Sequence, residues 1–149
     1  MSDAPASASK DVPGIDGTPV SDQGSLTYPF DGRPGDAEVM QMRPGVLWLR
    51  MPLPIPGLDF INLWLIEEED GWTLVDTCVK SSKLQKIWDE VVERHLKGKP
   101  ITRILCTHFH PDHIGLAGWL QQKFDAPLWM TLGEWTFGRM LALEETPDV

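Results

Sequence analysis

The sequence predicts an α/β fold in which helices pack outside a sheet. Three observations carry this expectation. From Val46 onward, short runs rich in branched and aromatic residues alternate with amphipathic stretches of helical period. Some of those runs are almost continuously apolar, as in strands covered on both faces. A dense cluster of metal-ligating side chains falls between the end of one such run and the start of a helix.

The composition supports one core. At 149 residues, 42% apolar and with seven Trp, the chain has enough material for a single packed domain. Residues 1–36 are rich in Ser, Ala, Pro, Gly and Asp and lack apolar periodicity, so they read as a disordered leader. Residues 37–149 are expected to form the folded unit. The leader has no basic start followed by an apolar core of secretory type. No run of about 18 apolar residues occurs, so a soluble cytoplasmic protein without a membrane partner is expected. The net charge of −9 disfavours polyanionic partners such as nucleic acid. Seven of the 13 Lys and Arg nevertheless lie between Lys80 and Arg103, against three acids. That stretch is either the solvated face of a helix or a binding patch. Cys78 and Cys106 are too few for a disulfide framework or a structural zinc site, and read as buried, reduced thiols.

In chain order, Val46–Arg50 reads as a short strand. Met51–Gly57 carries three prolines, which remove backbone donors, so a stiff apolar loop is expected. It is either a connector or a flap beside the functional site. Phe60–Ile66 and Trp72–Asp76 read as strands of a hairpin closed by the acidic turn Glu67–Gly71. Asp76, at a strand end, either caps a turn or steadies a neighbouring imidazole. Ser81–Lys97 is the clearest helix: Ser82 and Gln85 form a capping box, and Leu84, Ile87, Trp88 and Val91 share one face. Gly98 ends it, and His95 near its last turn reads as a packing or capping residue. Ile101–Cys106 is the next strand, Ile114–Phe124 a helix in which Gly115 and Gly118 permit close approach, Pro127–Met130 a short strand and Leu132–Glu145 a last helix.

Between them stands Thr107-His108-Phe109-His110-Pro111-Asp112-His113. At a strand end, His108 and His110 are two residues apart and can face the same way. Two neutral imidazoles on one side make half of a tetrahedral zinc site. Pro111 turns the chain, and Asp112 and His113 open a helix from which a second cation can be gripped. Paired ions sharing a water lower its pKa and polarise the bond it attacks, which is hydrolytic chemistry.

This stretch resembles the T-H-x-H-x-D-H signature of metallo-β-lactamase-fold hydrolases. The resemblance covers roughly residues 39–145 and extends to Asn62-Leu63-Trp64-Leu65-Ile66 and Val75-Asp76-Thr77-Cys78. They are similar to the family's N-x-Y-L-I and V-D-T-G segments, with Trp64 for Tyr and Cys78 for Gly. It implies an αβ/βα sandwich with metals at the strand ends between two sheets. His108 and His110 would bind the first ion, Asp112 and His113 the second. Asp76 and Thr107 would support them from behind, and Asp112 would also accept a proton from the bridging water. The wording of the segments is most similar to hydroxyacylglutathione hydrolase (glyoxalase II-like) proteins of bacteria. The family completes its site with a third His, a bridging Asp and a last His downstream. This chain has four His in all, none after His113, so only the first half of such a domain is expected.

The activity implied is hydrolysis of a thioester, ester or lactone by a metal-bound hydroxide, with two zinc ions as cofactor. Iron or manganese suits the same donors. The expected partner is a small-molecule substrate, with self-association through an uncovered sheet face. The alternatives are a non-catalytic, partner-dependent remnant and, from the basic stretch, a nucleic-acid-processing enzyme of the same fold.

Overall fold

A computed structural model of the chain describes residues 32–144, together with Phe30 and the pairs Val12–Pro13 and Pro19–Val20. It divides into two compact units, residues 1–33 and 34–149. In the first, β1 (Val12–Pro13) pairs antiparallel with β2 (Pro19–Val20). The leader expected over residues 1–36 otherwise lies largely outside the described residues.

The second unit holds a six-stranded sheet whose spatial order follows the sequence: β3 (Val39–Arg43), β4 (Val46–Ile55), β5 (Leu58–Glu67), β6 (Trp72–Val75), β7 (Ile101–Leu105) and β8 (Leu128–Trp129). The first four strands pair antiparallel, and β6, β7 and β8 run parallel. The parallel pairs need long crossovers, which the helices provide. Helix α1 (Ser82–His95) joins β6 to β7; α2 (Pro111–Ile114) and α3 (Ala117–Phe124) join β7 to β8; α4 (Leu132–Glu144) follows β8. This is the α/β class that the alternation predicts.

One core unites the sheet and its helices. Leu49, Met51, Leu63, Leu65, Leu74 and Ile104 pack with Leu84, Ile87, Trp88 and Val91 of α1 and Leu116, Ala117 and Leu120 at α3. The helical spacing of the α1 residues is therefore a packing stripe. His95 bonds the Ala37 carbonyl at 3.0 Å, away from the His-rich loop.

Five expectations are corrected. Met51–Ile55 is strand, not loop: β4 runs on to Ile55, with Met51 and Leu53 buried. Beyond Leu49 only β5 flanks it, so prolines sit in an edge segment where a missing donor costs little. Gly57, in the turn to β5, takes φ +80°, which glycine adopts without strain. Along β5, burial alternates: Ile61, Leu63 and Leu65 are inside, while Asn62 and Ile66 are exposed. Among the described residues the second face is thus only partly covered, by the Trp48–Trp64 stack and by Arg50 lying over the Phe60 ring.

The other three corrections concern helices. The run Ile114–Phe124 divides at Gly115–Leu116, because the Leu116 N–H leaves the helical ladder and donates to the Cys78 carbonyl at 3.0 Å. Gly118 borders open space, so it serves no close approach. At α1 the N-cap is Ser81, and no side-chain cap bond forms. An N-cap serine without its bond contributes little. Ser81→Ala is expected to change the unfolding free energy by less than about 0.5 kcal/mol in urea titration.

Candidate metal centre

β7 delivers the His-rich loop to the sheet's parallel end, beside the end of β6. There Asp76 is 5% exposed and takes φ +61°, which turns its carboxylate towards the loop. Its Oδ1 accepts the Thr107 N–H at 2.8 Å, and its Oδ2 lies 2.9 Å from both Thr107 Oγ1 and His113 Nδ1. A carboxylate only accepts, so the Thr107 hydroxyl and His113 Nδ1–H are both donors. With its proton committed, Thr107 Oγ1 can only accept from His108 Nδ1, 2.9 Å away. One buried acid thereby sets two tautomers, placing the Nε2 lone pairs of His108 and His113 on the side away from it.

Those lone pairs face the other candidate ligands. His108 Nε2 lies 3.0 Å from His110 Nδ1, and His113 Nε2 lies 3.4 Å from Asp112 Oδ2. The rings of His108 and His113 approach to 3.8 Å between centroids. All six site residues read from the sequence are therefore gathered in one place: Asp76, Thr107, His108, His110, Asp112 and His113. Among the described residues no three His, Cys, Asp or Glu side chains converge on one point. The donors form two pairs, each fitting part of a divalent ion's coordination sphere. An open cleft of about 550 Å3 lies alongside, lined by residues 105–107 and 128–131.

The loop is anchored from below by residues to which the sequence reading gave no role in the site. The His113 carbonyl accepts both the N–H and the hydroxyl of Thr77 at 2.8 Å, and Trp88 Nε1 donates to the Thr77 carbonyl at 3.0 Å. Cys78 takes φ +86°, the conformation for which glycine is suited, at a cost of order 1–3 kcal/mol for a side chain. Glu134 of α4 accepts the Phe109 N–H at 2.9 Å. Thr77 is contiguous with Asp76 and could have been suspected from that position; Glu134 lies 25 residues from Phe109, and nothing local links them.

Both thiols are buried and free. Burial pushes Cys78 up to about 11, with the Asp112 charge adding to the rise, and Cys106 up to about 12, assisted by the Asp76 charge. At pH 8 about one thiol in a thousand or fewer is ionised, so neither is expected to react with iodoacetamide until the chain is unfolded. Quantitative labelling of the native chain would contradict this. Because both values lie above the unfolded 9.0, the stability they contribute is complete below pH 9. It is lost as pH rises from 9 through 11 to 12.

The family model of the metallo-beta-lactamase superfamily matches residues 56–148, most of the described sheet and all four helices. The chain belongs to this superfamily. A solved beta-lactamase domain protein from Burkholderia ambifaria is 47% identical with a TM-score of 0.74, over 78% of this chain and 37% of that one. The mono-zinc form of the metallo-beta-lactamase FIM-1 from Pseudomonas aeruginosa shares the fold at 19% identity and a TM-score of 0.60, over 74% of this chain and 49% of that one. A linear primary-alkylsulfatase of a Pseudomonas species is 42% identical over 50 residues, 34% of this chain and 9% of its own. The chain thus spans less than half of each of these relatives. Membership of the superfamily suggests a metal-dependent hydrolase.

Proposed function

We propose that this chain carries the first half of a paired-metal hydrolytic centre, with zinc as the ion. His108 and His110 hold one ion, and Asp112 and His113 contribute to a second. The approach of His108 Nε2 to His110 Nδ1 supports this most strongly. Two nitrogens each about 2.0–2.1 Å from one tetrahedral zinc are about 3.3 Å apart, close to the 3.0 Å observed. Asp76 acts through Thr107 and His113, presenting the imidazoles in their neutral, ligating tautomers.

When bound, such ions supply Lewis acidity and lower the pKa of a water. Asp112, at the opening of α2, is placed to accept a proton from that water as well as to ligate. The proposed substrates are small molecules carrying a thioester, ester or lactone, and the likeness to an alkylsulfatase adds sulfate esters. The family pattern needs three ligands beyond these pairs, so hydrolysis is proposed for the chain together with whatever supplies them. A cytoplasmic location is proposed too; among the described residues no helix is long and apolar enough to cross a membrane.

The test is turnover of a panel of thioesters, lactones, carboxylic esters and sulfate esters by the complete zinc-loaded protein. His110→Ala is expected to abolish whatever turnover the wild type shows. Activity of the variant within a few-fold of wild type would overturn the proposal.

The second reading is a non-catalytic half-site completed by a partner, and the two-by-two arrangement of donors favours it. It predicts zinc binding without turnover, and self-association through the half-exposed face of Trp48, Trp64 and Ile66. The nucleic-acid reading gains little: Arg94, Lys99 and Arg103 pair with Glu90, Glu67 and Glu68, as on a solvated face.

A further inference from the structure

Glu134 is remote from the His-rich loop in sequence and touches its centre in space. Phe109 is the single residue between His108 and His110, and its N–H belongs to the peptide that joins it to His108. That N–H donates to Glu134 Oε2 at 2.9 Å. Fixing the plane of this peptide restrains ψ of His108 and φ of Phe109, two of the four backbone rotations between the Cα atoms of His108 and His110.

The local sequence assigns this carboxylate a different partner. Thr131-Leu132-Gly133-Glu134 has the form of a capping box, in which the Glu side chain returns to the N–H of the Thr. Half of the box is present, since the Glu134 N–H lies 3.3 Å from Thr131 Oγ1. The other half is directed to the loop. The contact is part of a face: Phe137 stacks on Phe109 with centroids 5.7 Å apart, and a Cβ on Gly138 would touch Phe109 Cβ at 3.5 Å and Ile114 Cδ1 at 3.6 Å. Residues 134, 137 and 138 fall on one side of α4. The helix is otherwise open, with Leu132 79% and Trp135 47% exposed, and Phe137 itself stays 53% exposed beside its ring contact.

We infer that Glu134 is a positioning residue, whose carboxylate holds the Phe109 peptide and so sets the spacing of the His108 and His110 imidazoles and the affinity of the ion they bind. This inference rests on the metal-site reading above.

The test compares wild type, Glu134→Ala and Glu134→Gln, which keeps a carbonyl acceptor. Zinc affinity is measured by chelator competition, and exchange of the Phe109 amide is measured in the metal-free chain. Glu134→Ala is expected to weaken zinc binding about 10–100-fold, the usual effect of removing a group that orients a ligand, and to speed Phe109 exchange. Glu134→Gln should stay within a few-fold of wild type in both. Should the Ala variant not fold, Glu134→Asp, one methylene too short, takes its place and should show the same losses. Wild-type affinity in the Ala or Asp variant, or an equal loss in the Gln variant, would overturn this inference alone. A wild-type chain that binds zinc no better than His110→Ala would overturn the metal-site reading and this inference with it.

Discussion

Gly115→Ala is expected to lower the unfolding free energy by about 3 kcal/mol or more, at the upper end of overpacking effects. A Cβ at residue 115 would lie 2.5 Å from the Pro111 carbonyl oxygen, 2.7 Å from the Lys80 nitrogen and 2.9 Å from the Cys78 carbonyl oxygen. All three are main-chain atoms, so no side chain can rotate away. Two of these contacts are with the strand-end segment that follows β6, where Thr77 grips the His113 carbonyl and Cys78 receives the Leu116 N–H. Separating the segments would release His113 from its anchor. Thermal and urea unfolding followed by circular dichroism measure the loss. A variant as stable as wild type would show that this close approach is not maintained in solution.

Asp76→Ala is expected to cost about 3 kcal/mol and to weaken zinc binding by at least about 10–100-fold. The carboxylate is the common acceptor for the Thr107 amide, the Thr107 hydroxyl and His113 Nδ1, and alanine leaves all three donors without it. The Thr107 hydroxyl is then free to rotate, so His108 loses the constraint on its tautomer. Asp76→Asn should fall between the two, since one amide oxygen still accepts while the NH2 opposes a donor. Urea unfolding together with chelator competition separates the stability loss from the affinity loss. If affinity is unchanged while stability falls, Asp76 is a structural acid only.

What was legible in the sequence depended on whether its cause was local. Ligands crowded into His108–His113 could be read directly, because adjacency in the chain guarantees adjacency in space. The hairpin of β5 and β6 was likewise legible as two apolar runs around an acidic turn, and the apolar stripe of α1 in its period of 3.6. The prolines at 52, 54 and 56 misled because their cost depends on whether a neighbouring strand needs their N–H, which is a tertiary fact. The open face of β5 was hidden for a similar reason. Trp64 and Ile66 look like core residues until burial shows which neighbours are present. The break at Gly115–Leu116 arises from a hydrogen bond to Cys78, 38 residues earlier by the numbering. Glu134 was the least accessible, since its local motif points to a cap and only the fold brings Phe109 within its reach.

The most direct measurement of the central claim is a titration of the metal-free chain with Co2+, followed by its visible absorption, in wild type, His108→Ala and His110→Ala. The pairing of His108 Nε2 with His110 Nδ1 predicts saturable binding that changes the visible spectrum of the ion, lost when either imidazole is removed. Equal binding in all three proteins, or no binding in any, would contradict the assignment of this loop as the metal centre.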